Sequence, residues 1–212
     1  MISRRAITIT LTIANLCLFV IYVSGWINPV AQNKKTIIRR LTLSKEPVEI
    51  SLKLKGEPLK ASEAVRAEAG IRAQEFEADR DWLKNLTLKL RNTSGKTITY
   101  LVLILDFPEV TKSGRTAEHQ IFLGVDPDRK FQRPELRLMP NETIEVPLSA
   151  RYDDIKTLVE TVGNLPPEIV SKVLVDFHAA FFDDGTFFEA GTFFRRNPDQ
   201  NDPHKWLKID HP

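Results

Sequence analysis

Alternation of apolar and polar side chains is the dominant signal from residue 48 onward. Val48, Ile50, Leu52 and Leu54 alternate with Glu49, Ser51, Lys53 and Lys55, the period of two that a half-buried strand requires. Gly56 ends that run. Residues 59–80 then become rich in Ala, Glu and Arg, which predicts a short helix over 62–69 stopped by Gly70, or an ordered loop between strands. Residues 83–91 and 98–107 read as a hairpin turned through Asn92-Thr93-Ser94-Gly95-Lys96, with Leu86, Leu88 and Leu90 on one face and Gly95 free to take a positive φ. Residues 100–105 are apolar on both faces, as in a central strand covered on both sides, and Pro108 closes it. A further strand is expected over 144–148.

The period changes at residue 153. Ile155, Leu158, Val159 and Val162 recur at helical spacing, with Asp153 or Asp154 placed to cap the start and Gly163 the end. Past Pro166-Pro167, a second hairpin is expected from 173–182 and 187–195, turned by Asp184-Gly185. The tail, 197–212, contains three prolines and reads as irregular chain packed on the domain. Short strands with little helix point to a mainly all-β fold, an antiparallel β-sandwich over 48–196 with one inserted amphipathic helix.

Charge alters the picture only at the N-terminus. Of 30 basic and 28 acidic side chains, Arg4 and Arg5 account for both excess charges, so the body is neutral as a whole and nucleic acid is not an expected partner. Residues 6–33 are uncharged, and 16–23 form their most apolar part. This is the pattern of a positive segment and a hydrophobic segment, so residues 1–31 read as a signal peptide or membrane anchor helix and the body as extracytoplasmic, either periplasmic or secreted. Residues 6–27 are long enough to span a bilayer if uncleaved. Lys34, Lys35, Arg39, Arg40 and Lys45 follow without an intervening acid, and 32–47 read as a basic linker, either solvated or resting on anionic headgroups. The lone cysteine, Cys17, lies in the apolar segment, which removes disulfides, thiol catalysis and cysteine-ligated metals from the body.

Two stretches carry a resemblance. Asn92-Thr93-Ser94-Gly95-Lys96-Thr97-Ile98 followed by 101–107 and by Leu138-Met139-Pro140-Asn141-Glu142-Thr143 resembles bacterial extracytoplasmic immunoglobulin-like modules of unknown role. The last hairpin, Phe181-Phe182-Asp183-Asp184-Gly185-Thr186, with Gly191, Arg195-Arg196, Pro198, Pro203 and Trp206 beyond it, is similar to the C-terminus of secreted proteins of that kind. The resemblance implies an immunoglobulin-like sandwich and an extracytoplasmic setting, and it brings no catalytic residues.

Seven of the twelve Phe residues fall between 177 and 194. A two-residue turn at Asp184-Gly185 pairs Phe182 with Phe187. Alternation then puts Phe177, Phe181, Phe188 and Phe194 in the core and gathers Phe182, Phe187 and Phe193 on the other face with Arg195. Exposed, that cluster is a candidate interaction patch for a protein partner in the cell envelope; alternatively, the helix or the tail bearing Trp206 covers it. Phe182, Phe187, Phe193, Arg195 and Trp206 are the candidate site residues. A carbohydrate-binding module is the alternative, which requires exposed Trp or Tyr on a flat face, from among Trp26, Trp82, Trp206, Tyr100 and Tyr152.

Enzymatic chemistry finds little. There is no G-x-S-x-G elbow, phosphate loop or H-E-x-x-H, so no cofactor or catalytic residue is expected, and a hydrolase would need an unrecognised site. Asn197-Pro198-Asp199-Gln200-Asn201-Asp202 begins like a calcium loop but has Asp202 where Gly is needed and Lys208 where Glu is needed. His119, His178, His204 and His211 show no ligand spacing, and no metal is expected. Asn85, Asn92 and Asn141 stand in N-x-S/T sequons.

Overall fold

The computed structural model describes residues 34–40, 46–59, 71–126, 134–199 and 205–209. The apolar segment at 6–27, the helix expected over 62–69 and residues 200–202 of the calcium-like sequence lie outside them. Among the described residues no helix is long and apolar enough to cross a membrane.

Among the described residues the chain is mostly β, in two sheets, with one α-helix. The smaller sheet has four strands in the order β3 (Glu57–Pro58), β2 (Val48–Leu54), β5 (Leu86–Asn92) and β8 (Thr143–Pro147). The larger has eight. Its centre is β9 (Lys172–Phe182), flanked on one side by β6 (Ile98–Lys112) and β7 (Arg115–Gly124). Beyond the other side lie β1 (Lys34–Arg40) with β4 (Ile71–Glu77), and the run β10 (Thr186–Glu189), β11 (Thr192–Arg196) and β12 (Trp206–Ile209).

Both sheets contribute to one hydrophobic core. Leu86, Leu88 and Leu90 of β5 and Leu101, Leu103 and Leu105 of β6 are fully buried there with Val173 and Val175 of β9. The alternation read for β2 and β5 therefore holds, as does the central position of β6. Helix α1 (Tyr152–Gly163) buries Ile155 and Val159 in that core. Asp153 and Asp154 sit in its first turn, where acids suit the helix dipole, but Arg151 is the N-cap and no side chain closes it. The C-cap is Asn164, left-handed at φ 51°. Gly163 serves packing instead, because a Cβ there would lie 2.6 Å from Val110.

Pairing departs from expectation in several places. β5 and β6 do not form a hairpin: β5 pairs with β2 and β8, and β6 pairs with β7 and β9 in the other sheet. Residues 93–97 are thus a crossing between layers. The corner is held by Asn92, fully buried, whose amide donates to the carbonyls of Lys96 (2.7 Å) and Leu138 (2.9 Å) and accepts from the Ser94 N–H (2.9 Å) and hydroxyl (2.7 Å). Pro108 does not end β6, which runs on to Lys112 past an irregularity between Phe107 and Thr111. A proline is tolerated there because the ladder is already interrupted. The sheet is also not wholly antiparallel, since β1 runs parallel to β9.

In place of a basic linker, residues 34–40 form β1, with its inner side chains directed into the domain. Lys35 is only 2% exposed and its ammonium donates to the Val170 carbonyl at 3.2 Å. Burial pulls its pKa below the ordinary lysine value, against the opposing pull of Glu109 and Asp79. Arg39 donates to the Ile50 carbonyl (3.0 Å) and pairs with Glu46 (3.0 Å), tying β1 to the smaller sheet. Neither side chain is displayed to headgroups. The tail also departs from irregularity at 206–209, where β12 adds an edge strand to β11.

Candidate functional site

The Phe-rich region is a three-stranded meander. Ala190 and Gly191 take left-handed φ of 47° and 78° and turn β10 into β11, so the arm expected over 187–195 is two short strands. Between β9 and β10 the register is one residue away from the expected pairing: Phe187 opposes Phe181, and Phe188 opposes Ala180. The loop therefore holds three residues, Asp183, Asp184 and Gly185. Asp184 anchors it by accepting from the Thr186 N–H (3.0 Å) and hydroxyl (2.6 Å) and pairing with Lys96 (2.6 Å). Because side chains alternate strictly, a one-residue slip exchanges the two faces of an arm. β9 adds a bulge: Val102 opposes Ala179 while Leu103 opposes Phe177, so His178 is the extra residue. Past it, Ala180 and Phe182 return to the core face.

The five expected site residues consequently do not form one patch. Phe182 is 3% exposed and packs in the core at 6.0 Å from Phe193, which is half-buried against the same core. Phe187 is 8% exposed on the opposite, outer face, between Phe181 (5.0 Å) and Phe194 (4.7 Å) and beneath Trp206 (4.5 Å). Arg195 is exposed on β11. Trp206 does cover part of the cluster, as one alternative had it, being edge-on to both Phe181 and Phe187.

The β9 bulge, the three-residue loop and the turn at Ala190-Gly191 together create an aromatic row across the outer face of the large sheet. It runs from Phe122 on β7 through Tyr100 on β6, Phe181 on β9 and Phe187 on β10 to Phe194 on β11 and Trp206 on β12. Successive ring centroids from Phe122 to Phe194 lie 4.7–6.5 Å apart, and the Trp206 ring lies 4.5 Å from that of Phe187. Tyr100, Val102 and Ala179 form a small second cluster there with Phe122 and Phe181, drawn wholly from this sheet. Phe122, Phe181, Phe194 and Trp206 remain partly exposed. The row was not legible in the sequence, although Tyr100, Val102 and Ile104 on the second face of β6 were its signal.

A cleft of about 280 Å³ opens at the same end of the sheet, lined by Thr97, Thr99, Val125, Glu135, Leu136, Arg137 and Asp183. Its wall is backbone: Ile98 and Leu138 exchange N–H···O bonds in both directions, at 2.9 and 3.0 Å. Gly124 makes the close approach possible. At φ +84°, a Cβ on it would sit 2.2 Å from the Thr99 carbonyl oxygen.

Acid–base chemistry is poorly provided for. His178 and Glu189 approach to 3.4 Å, both nearly half exposed on the open face. Burial by itself would raise Asp184, but hydrogen bonds from Lys96 and Thr186 outweigh it and hold the carboxyl below the ordinary value, so it is not suited to donate a proton. Glu109 is committed to the N–H groups of Ser171 (2.7 Å) and Lys172 (3.1 Å). Trp82 is fully buried and offers no sugar platform. Among the described residues no group of His, Cys, Asp and Glu is placed to hold a metal ion.

His119 stands on the inner face of β7 near α1, its Nε2 buried without a hydrogen-bond partner. Burial pulls its pKa below 6.5, with Asp154 opposing and Arg151 reinforcing. The folded state thus favours neutral imidazole, and the unfolded chain binds more protons as pH falls below 6.5. Stability should be complete above pH 6.5 and decline toward pH 5. Urea midpoints measured across that range should fall for the wild type and stay flatter for His119→Gln; parallel profiles would refute the assignment.

Comparison with known protein families, with curated proteins and with solved structures found no match to this chain.

Proposed function

We propose that the chain is a non-catalytic, extracytoplasmic interaction module on an immunoglobulin-like β-sandwich, exported or membrane-anchored through residues 6–27, with a protein partner in the cell envelope. The observation that carries the reading is the aromatic row. Monomeric proteins rarely display a contiguous apolar face, and interface cores are enriched in aromatic side chains. Here four partly exposed rings, Phe122, Phe181, Phe194 and Trp206, belong to one such face. A protein surface suits it better than a sugar. Phe187 is stacked between Phe181 and Phe194 with interplanar angles of only 13° and 15°, so much of the ring-face area that a pyranose would use is already occupied.

Photocrosslinking in intact cells tests it. With p-benzoylphenylalanine at position 122 or 194, the same envelope protein should be captured from both, and not from position 139, where the side chain is 53% exposed off the row. Absence of an adduct from 122 and 194, or identical adducts from all three positions, would overturn the proposal. Adducts with polysaccharide would favour the carbohydrate reading instead.

A further inference from the structure

The cleft at the end of the large sheet has an unusual charge inventory. Glu135, Arg137 and Asp183 are all exposed, yet among the described residues none of their side chains makes an ion pair or hydrogen bond. One residue beyond Asp183, by contrast, Asp184 is paired with Lys96 at 2.6 Å. Thr97 is 8% exposed, and its backbone carbonyl is taken by the Asp183 N–H at 3.0 Å. Polar groups that find no partner within a folded domain beside a cleft are free to bind a ligand, because no internal bond has to be broken first.

The chemistry of the lining is specific. Among the described residues one guanidinium and two carboxylates line the same space, together with the apolar side chains of Val125, itself 37% exposed, and Leu136. A ligand complementary to this set carries one negative group, one positive group and a short apolar moiety. At about 280 Å³ the space falls at the lower edge of ligand pockets, roughly 300–1,000 Å³, which excludes a folded partner or a long peptide. The walls are set by paired backbone and by the close approach at Gly124, so the site is formed before a ligand arrives.

We propose that this cleft binds a free amino acid with an apolar side chain, its carboxylate on Arg137, its ammonium on Glu135 and Asp183, and its side chain against Val125 and Leu136. Binding here is separate from the aromatic row and holds whether or not a protein docks there.

The probe is L-leucine, titrated into the full chain in detergent micelles and followed by calorimetry and backbone amide shifts. Saturable binding is expected with a dissociation constant on the order of 1 mM or tighter, with shifts at Thr97, Thr99, Val125 and Arg137. N-acetyl-L-leucine, which lacks the ammonium, and L-leucinamide, which lacks the carboxylate, should each bind at least about tenfold more weakly, as loss of a charged hydrogen bond predicts. Arg137→Ala should remove the preference for leucine over leucinamide. Asp183→Asn combined with Glu135→Gln should remove the preference over N-acetyl-leucine. All three side chains are exposed, so both variants should fold, and Lys112→Ala at the β6–β7 tip is the control that should bind like wild type. No saturable binding, equal binding of the capped forms, or variants that keep both preferences would overturn the assignment.

Discussion

Replacing Trp82 with Ala should cost about 3–5 kcal/mol of unfolding free energy, the range for emptying a fully buried aromatic site. The indole is 0% exposed, lies edge-on to Phe76 at 5.5 Å, and donates its Nε1 proton to the Val170 carbonyl at 2.9 Å. That carbonyl also receives the buried Lys35 ammonium at 3.2 Å. Trp82 therefore does two things at once. It fills the space between β4 and the core, and it shares the acceptor that makes a buried lysine tolerable. Truncation leaves a cavity beside a charge. Trp82→Phe keeps most of the volume but loses the donor, and should cost less, about 1–2 kcal/mol, because Lys35 still satisfies Val170. Domains of this size are stable by only about 5–15 kcal/mol, so the Ala variant should approach its limit at physiological temperature. Urea unfolding at pH 7 provides the measurement. A loss below about 1.5 kcal/mol for Trp82→Ala, or a greater loss for Phe than for Ala, would show that the site collapses without penalty.

Asn92→Leu should cost about 2–4 kcal/mol although it replaces a polar core residue by an apolar one. The physical ground is the asymmetry between making a hydrogen bond and leaving its partner unmade. The amide satisfies the carbonyls of Lys96 and Leu138 and both the N–H and hydroxyl of Ser94. Leucine would leave the Ser94 N–H without its acceptor and strip one donor from each carbonyl, Lys96 keeping only the Ser94 hydroxyl (3.1 Å) and Leu138 only the Ile98 N–H (2.9 Å). Asn92→Asp should be at least as damaging at pH 7, since two carbonyl oxygens would then face a carboxylate. It should recover in part on acidification, because this carboxyl's folded pKa would lie above its unfolded value and its penalty is relieved as it protonates. Equal stability of Asn92→Leu and wild type in denaturant titration would refute the corner's role. Asn92 also occupies a sequon, and its full burial removes it from glycosylation once the domain has folded.

Some of this was plain in the chain. Leu86, Leu88 and Leu90 point inward because alternate residues of a strand must share a face, whatever that strand pairs with. Ile155 and Val159 lie on the buried side of α1 for the same local reason. The second apolar face of β6 announced that something aromatic or aliphatic would lie on it, without indicating what. The candidate patch was lost through parity: the β9 bulge at His178 turned Phe182 inward and the turn at Ala190-Gly191 put Phe193 inward and Phe194 outward, while the three-residue loop, which no local propensity distinguishes from a two-residue one when Asp183, Asp184 and Gly185 suit both, left Phe187 on the outer face expected for it. The cleft was invisible, since Thr97, Val125, Arg137 and Asp183 meet only through tertiary pairing.

By itself, the sequence determined the strands near 48–54, 86–92, 98–107, 143–147 and 172–182 and the helix at 152–163, but not β1, β4, β7 or β12, and it determined which side chains share a face only where no bulge or turn interrupts the segment. Those properties depend on the backbone geometry of neighbouring residues, and 3.6- and 2-residue periods are written in neighbouring residues. Only the tertiary structure decided that β5 and β6 part company into different sheets, that Lys35 goes inside, and that six rings align across the outer face. The reason is that each depends on partners far along the chain, Lys35 meeting Val170 across 135 residues and Trp82 meeting it across 88. No local pattern encodes which of several compatible partners wins.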